Sequence, residues 1–121
     1  MSISYRGKPE YALVMAELIR AAQYRGVTTY QDVARIMGLP RAGNLMGRKI
    51  GCILGEISDD EAKSGRPMLS AVAVGVNGAP GKGFYSFAKQ LGKLSEAENQ
   101  EAFWETERNA VYRTWKRRLQ P

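Results

Sequence analysis

Apolar residues recur along this chain at helical spacing in five blocks, punctuated by glycine and proline. In residues 9–24, Tyr11, Val14, Met15, Leu18, Ile19 and Ala22 form one stripe, with Pro9 suited to the first turn and Gly26 ending the block. A short second helix follows, capped by Thr29, with Asp32 three residues on completing a capping box and Val33, Ala34 and Met37 facing inward. Gly38 stands where a left-handed terminal residue is needed, and Pro40 cannot continue the same helix. A third helix is predicted from about Ala42, with Met46, Ile50, Ile53 and Ile57 on one face. Residues 27–57 thus read as a helix-turn-helix. After a polar connection, residues 68–76 are β-branched and apolar and predict a buried strand; Val76-Asn77-Gly78 is a hairpin turn signal. Residues 66–84 are then a strand and wing. Phe84, Phe87, Ala88 and Leu91 predict a short helix ending at Gly92, and Ser95 with Glu98 a capping box opening a C-terminal helix over residues 95–119. The whole is mainly α with a small β-hairpin: one winged helix-turn-helix-like domain over residues 1–121, without internal repeat or low-complexity tract.

The outward face of the third helix is the informative one. Arg41, Asn44, Arg48 and Cys52 line one side, with Lys49 next to them. Gly43, Gly47, Gly51 and Gly55 fall on every fourth residue, at up to ~1 kcal/mol each relative to alanine. Such a stripe lets another backbone approach closely, either a nucleic-acid strand or a neighbouring helix of the same fold. Further on, Ala79-Pro80-Gly81-Lys82-Gly83 is a loop with free backbone N–H groups, where Lys82 can meet a phosphate; the alternative is a tight turn whose glycines serve geometry alone.

Charge sharpens this reading. A net charge of +6 and a pI near 9.7 point to an anionic partner, nucleic acid first and membrane surface second. No run approaches the ~18 apolar residues of a membrane span and the N-terminus lacks a signal-peptide core, so the expectation is a cytoplasmic protein without membrane partner. There is no histidine, which removes Ser-His and Cys-His nucleophilic pairs and His-containing metal sites. The single cysteine excludes an internal disulfide. Asp59, Asp60, Glu61 and Lys63 invite a metal-dependent nuclease reading, because Glu61-Ala62-Lys63 matches the end of the PD-(D/E)xK pattern. That pattern needs a core strand, whereas here it falls in the polar connection. Arg6 and Lys8 in the N-terminal arm are available to a phosphate. The basic end Arg113, Lys116, Arg117 and Arg118 suits a helix C-terminus.

Val27-Thr28-Thr29-Tyr30-Gln31-Asp32-Val33-Ala34, followed by Gly38-Leu39-Pro40-Arg41-Ala42-Gly43-Asn44-Leu45-Met46-Gly47, resembles the C-terminal DNA-binding domain of O6-alkylguanine-DNA alkyltransferases and alkyltransferase-like proteins. The resemblance covers residues 27–84, roughly half the chain. It implies a winged helix-turn-helix whose recognition helix enters the minor groove, with a pocket nearby for a flipped base. Tyr30 matches a family tyrosine placed near the DNA backbone, and Gly81 and Gly83 match a glycine-rich loop. The chain departs from the family at two places: the arginine finger aligns with Asn44, and the Pro-Cys-His-Arg motif falls at Pro67-Met68-Leu69-Ser70. The resemblance therefore implies a DNA-binding scaffold without alkyl transfer.

The expectation is a non-enzymatic, cofactor-free DNA-binding protein of a prokaryote or phage, which extends to recognition of modified or distorted DNA. Duplex DNA would be met by Tyr30, Arg41, Asn44, Arg48, Lys49 and Lys82, with Gly43, Gly47 and Gly51 allowing close approach. The alternative is a protein-interaction module, such as a phage-encoded inhibitor of a host enzyme, presenting the same basic face to an acidic partner.

Overall fold

The computed structural model describes residues 3–40 and 43–116. Among them are five α-helices: α1 (Pro9–Gln23), α2 (Tyr30–Ile36), α3 (Asn44–Lys63), α4 (Lys82–Gln90) and α5 (Gln100–Thr114). A 3-10 turn (Leu69–Val72) and two short strands, β1 (Thr28–Thr29) and β2 (Ala73–Val74), complete the set. The fold is mainly helical, as the hydrophobic period predicts. The β-hairpin is not formed. The strands pair in parallel, Thr28 opposite Ala73 and Thr29 opposite Val74, and the turn at Val76-Asn77-Gly78 leads on into α4.

The apolar run at residues 68–76 explains that correction. Met68, Leu69, Ala71, Val72 and Ala73 are fully buried, packed among α1, α3 and α5. Residues 68–73, enclosed by helices, have little lateral ladder to join, β1 supplying two residues of it, and the expected buried strand ends short of Val76, which is exposed. The backbone groups of the run are met by side chains: Trp104 Nε1 donates to the Ala71 carbonyl at 2.8 Å, and the Glu107 carboxylate accepts from the Met68 N–H at 2.8 Å.

The two ends of α2 form much as their capping residues specify. Thr29 Oγ1 accepts from the Asp32 N–H at 3.1 Å, although the Asp32 carboxylate pairs with Arg35 rather than completing the box. Gly38 is left-handed at φ 72°, and the Leu39 N–H closes the end of α2 on the Ala34 carbonyl.

α3 runs six residues past Ile57, absorbing residues 58–63 of the expected connection. Those residues are polar but have partners a periodicity argument does not see. Ser58 and Glu61 turn inward, and Glu61, 1% exposed, is held in the fork of Arg66. On the next face Glu56, Asp59 and Asp60 receive the N-terminal arm. Ser4 Oγ and the Tyr5 N–H donate to Glu56, Tyr11 Oη donates to Asp60, and Arg6 reaches all three carboxylates. Arg6 is therefore engaged within the fold, contrary to the expectation that it awaits a phosphate.

At the other end, Ser95 and Glu98 do pair, the Ser95 N–H donating to Glu98 Oε1 at 2.9 Å, but they close a separate turn. α5 starts one turn later, where Asn99 Oδ1 accepts from the Ala102 N–H, and it ends at Thr114. Arg117 and Arg118 lie outside the described residues.

Candidate functional site

α2, α3 and α4 converge on an open cleft of about 250 Å³. α3 gives it an aliphatic wall of Met46, Ile50 and Leu54, and α4 an aromatic wall of Phe84 and Phe87. Tyr30, at the start of α2, stands at one end, and Ser70, from the 3-10 turn, lies at the base. Gly47, Gly51, Gly55, Gly81 and Gly83 complete the lining, and among the described residues no lining side chain carries a charge.

The glycine stripe of α3 now separates into two parts. A Cβ added at Gly47 or Gly51 would meet nothing within 4 Å, so neither glycine is there to admit a neighbouring helix. Gly55 is the one at which a Cβ would touch the fold, 3.6 Å from the Phe87 ring. The two exposed glycines keep the cleft wall flat and open. Gly43 does a different task, capping α3 at φ 100°, which glycine alone adopts readily.

Tyr30 is fixed by the loop that follows β2. Its Oη accepts from the Gly81 N–H at 2.8 Å, and a Cβ at Gly81 or at Gly75 would lie 3.7 Å and 3.8 Å, respectively, from Tyr30 ring carbons. Burial pushes the phenol above its ordinary range, against the opposing effect of the Gly81 N–H. Tyr30 is accordingly a neutral hydroxyl at neutral pH, with its own proton left to donate.

Ser70 offers a second donor. Ser58 and Ser70 hydroxyls lie 2.7 Å apart, and the Ser70 N–H also donates to Ser58 Oγ. Ser58 is fully buried inside α3, so an undonated Ser58 proton would cost about 1–3 kcal/mol. That favours Ser58 donating to Ser70 and leaves the Ser70 hydroxyl, part of the cleft lining, with its own proton to donate. The cleft is thus apolar and aromatic, with hydroxyl donors at its end and base.

Cations stand at its edge. Lys82 is exposed between the lining residues Gly81 and Gly83, and Arg48 is exposed beside Gly47 on the flank of α3 that also carries Gly51 and Gly55. Asn44 is the first residue of α3, and Arg41 lies outside the described residues. Lys49 sits two residues from both Gly47 and Gly51, which turns it to the opposite side of the helix. The structure thus gathers Tyr30, Gly47, Gly51, Arg48 and Lys82 and sets Lys49 apart. Phe84, Phe87 and Ser70 were not legible as site residues, because the two rings fit a helical core stripe and the serine sits in an apolar run.

The nuclease-like residues do not converge. Glu61 is held by Arg66, Lys63 pairs with Asp59 at 2.8 Å, and Asp60 is bonded by Arg6 and Tyr11. Among the described residues no group of three or more His, Cys, Asp or Glu side chains is placed to hold a metal ion. Likewise, no helix among them is long and apolar enough to cross a membrane. Cys52 is half-buried and is not part of the cleft lining. No protein-family model, no curated protein and no solved structure matches this chain.

Proposed function

We propose that this protein is a non-enzymatic DNA-binding protein of winged helix-turn-helix type, which recognises modified or distorted DNA by receiving an extruded base in the α2–α3–α4 cleft. The observation that carries the proposal is the cleft itself: uncharged, walled by Phe84 and Phe87, equipped with hydroxyl donors and flanked by Arg48 and Lys82. Bases taken out of a duplex are held by stacking against aromatic or apolar side chains and by hydrogen bonds to their edges. Phosphates either side of such a base require cations outside the pocket, which Arg48 and Lys82 supply. Open space beside Gly47 and Gly51 lets a strand lie against α3. The resemblance of residues 27–84 to alkyltransferase-type DNA-binding domains points the same way. Met68 and Leu69 stand, fully buried, where that family carries its reactive cysteine and histidine, which supports binding without chemistry.

The test is a titration with intact duplex and with duplex carrying one mismatched or alkylated base, repeated across salt. The disturbed duplex should bind more tightly, since its base leaves the stack at a lower cost. Each phosphate contact contributes about −0.9 to the slope of log affinity against log salt, so Arg48→Ala and Lys82→Ala should each flatten it by about that amount. Lys49→Ala should leave the slope alone. Absence of duplex binding at low salt would remove the proposal and promote a protein-directed role for the basic face.

A further inference from the structure

The turn after β2 holds an aliphatic side chain almost wholly in solvent. Val76 is 90% exposed, well above any other large apolar residue described, the next being Tyr24 at 65%. The turn carrying it is closed from within: Gly75 N–H donates to the Ala79 carbonyl at 2.9 Å, Gly78 N–H to the Gly75 carbonyl at 3.0 Å, and Ala79 N–H to Asn77 Oδ1 at 3.2 Å. It is also seated against Tyr30, which bounds the cleft, because Gly75 and Gly81 both abut the Tyr30 ring. Turn tips ordinarily carry polar residues, Gly or Pro, and valine gains nothing there from the fold. Its branched side chain is stiff at χ1, and its backbone is fixed, so little freedom is left to lose on binding.

We infer that Val76 is an apolar wedge that enters a base step of the bound DNA beside the cleft. This rests on the DNA-binding reading proposed above. An apolar side chain driven between bases unstacks them and kinks the duplex, at a cost that is offset when the displaced base or the bent backbone finds protein surface. Here one short loop places the three parts together: Val76 at the tip, Lys82 for the phosphate, and the Tyr30-bounded cleft for a displaced base. The partner this surface fits is accordingly a duplex at a readily unstacked step, a pyrimidine–purine step or a mismatch.

A duplex with 2-aminopurine at such a step, whose fluorescence rises on unstacking, provides the test. It is titrated at fixed salt with the wild-type protein, Val76→Ser and Val76→Leu. Val76→Ser should bind about tenfold more weakly, the affinity equivalent of burying one valine side chain, and should lose the fluorescence rise. Its salt slope should match the wild type, because no phosphate contact is removed. Val76→Leu should retain both affinity and signal. The side chain is too exposed to support the fold, and equal melting temperatures of the three proteins would verify this. A Val76→Ser protein that binds as tightly as wild type, or that still unstacks the probe, would overturn the wedge and leave the DNA-binding reading standing. A wild-type protein that does not bind the duplex would overturn that reading and the wedge with it.

Discussion

The glycines of α3 give the sharpest separation between a surface made for a partner and a surface made for the fold. Gly47 and Gly51 lie well inside a helix of 20 residues, and a Cβ at either meets nothing within 4 Å. Glycine inside a helix costs about 0.8–1.0 kcal/mol relative to alanine, chiefly through the freedom of the unfolded chain. Gly51→Ala should therefore stabilise the protein by about 1 kcal/mol, and the Gly47→Ala/Gly51→Ala pair by about 2 kcal/mol. At this chain length that corresponds to a rise in melting temperature of about 4 °C and 8 °C. Gly51→Leu also has space at its Cβ and a good helix former in place of a poor one, so it should melt no lower than wild type. Its side chain, however, enters the cleft that Gly51 lines, and duplex affinity should fall at least tenfold. Thermal denaturation and a duplex titration on the same preparations read both quantities. A Gly51→Leu protein destabilised by more than about 1 kcal/mol would refute the open wall and indicate close helix packing. One that is stable and binds normally would refute the cleft as the binding surface.

Three further perturbations test the scaffold around the cleft. Glu107, 8% exposed, accepts from the Met68 N–H and from Lys93 Nζ. Glu107→Ala should cost about 3 kcal/mol in urea denaturation and Glu107→Gln about 1 kcal/mol, because only the amide can still accept from the buried N–H; equal losses would show that this hydrogen bond is not what matters. Arg25 is left-handed at φ 55°, so Arg25→Gly should stabilise by about 0.5–1 kcal/mol, and a melting temperature that falls would contradict the strain. The guanidinium of Arg6 bonded to Asp60, and that of Arg20 bonded to Glu17, hold both carboxyls below their ordinary range despite partial burial. The unfolded chain then takes up these protons at higher pH than the native one. The stabilisation is fully present above the ordinary carboxylate range and is lost as pH falls through the depressed native values. Arg6→Ala should flatten this acid dependence in denaturation curves taken from pH 6 to pH 2, and an unchanged profile would mean that the arm does not hold Asp60.

Local signals that act within one turn were legible from residue order alone. Pro9 starts α1, Thr29 caps α2, Gly38 ends it, and of the expected stripe along α3 Ile50, Ile53 and Ile57 are buried while Met46 is partly buried in the cleft wall. Each depends on neighbours three or four positions away, so the sequence carries the whole interaction. Gly47, Gly51 and Lys82 were singled out by the same local reading, from spacing and loop chemistry, and Tyr30 by the family resemblance of residues 27–84. What the sequence could not determine depended on partners far along the chain. α3 outlasts Ile57 because Arg6, some fifty positions earlier, takes up Glu56, Asp59 and Asp60, while Arg66 takes up Glu61. The run at residues 68–76 has strand composition, yet residues 69–72 form a buried 3-10 turn and Ala73–Val74 a two-residue strand, because helices surround residues 68–73 and side chains from α5 satisfy backbone groups there. Lys49 and Arg48 are adjacent in the sequence but about 100° apart around α3, so that Arg48 falls on the flank of the cleft and Lys49 opposite Gly47 and Gly51. The cleft was decided by tertiary structure alone. Phe84 and Phe87 look like any helical core stripe until α4 is set across an α3 whose glycines leave the space in front of them empty.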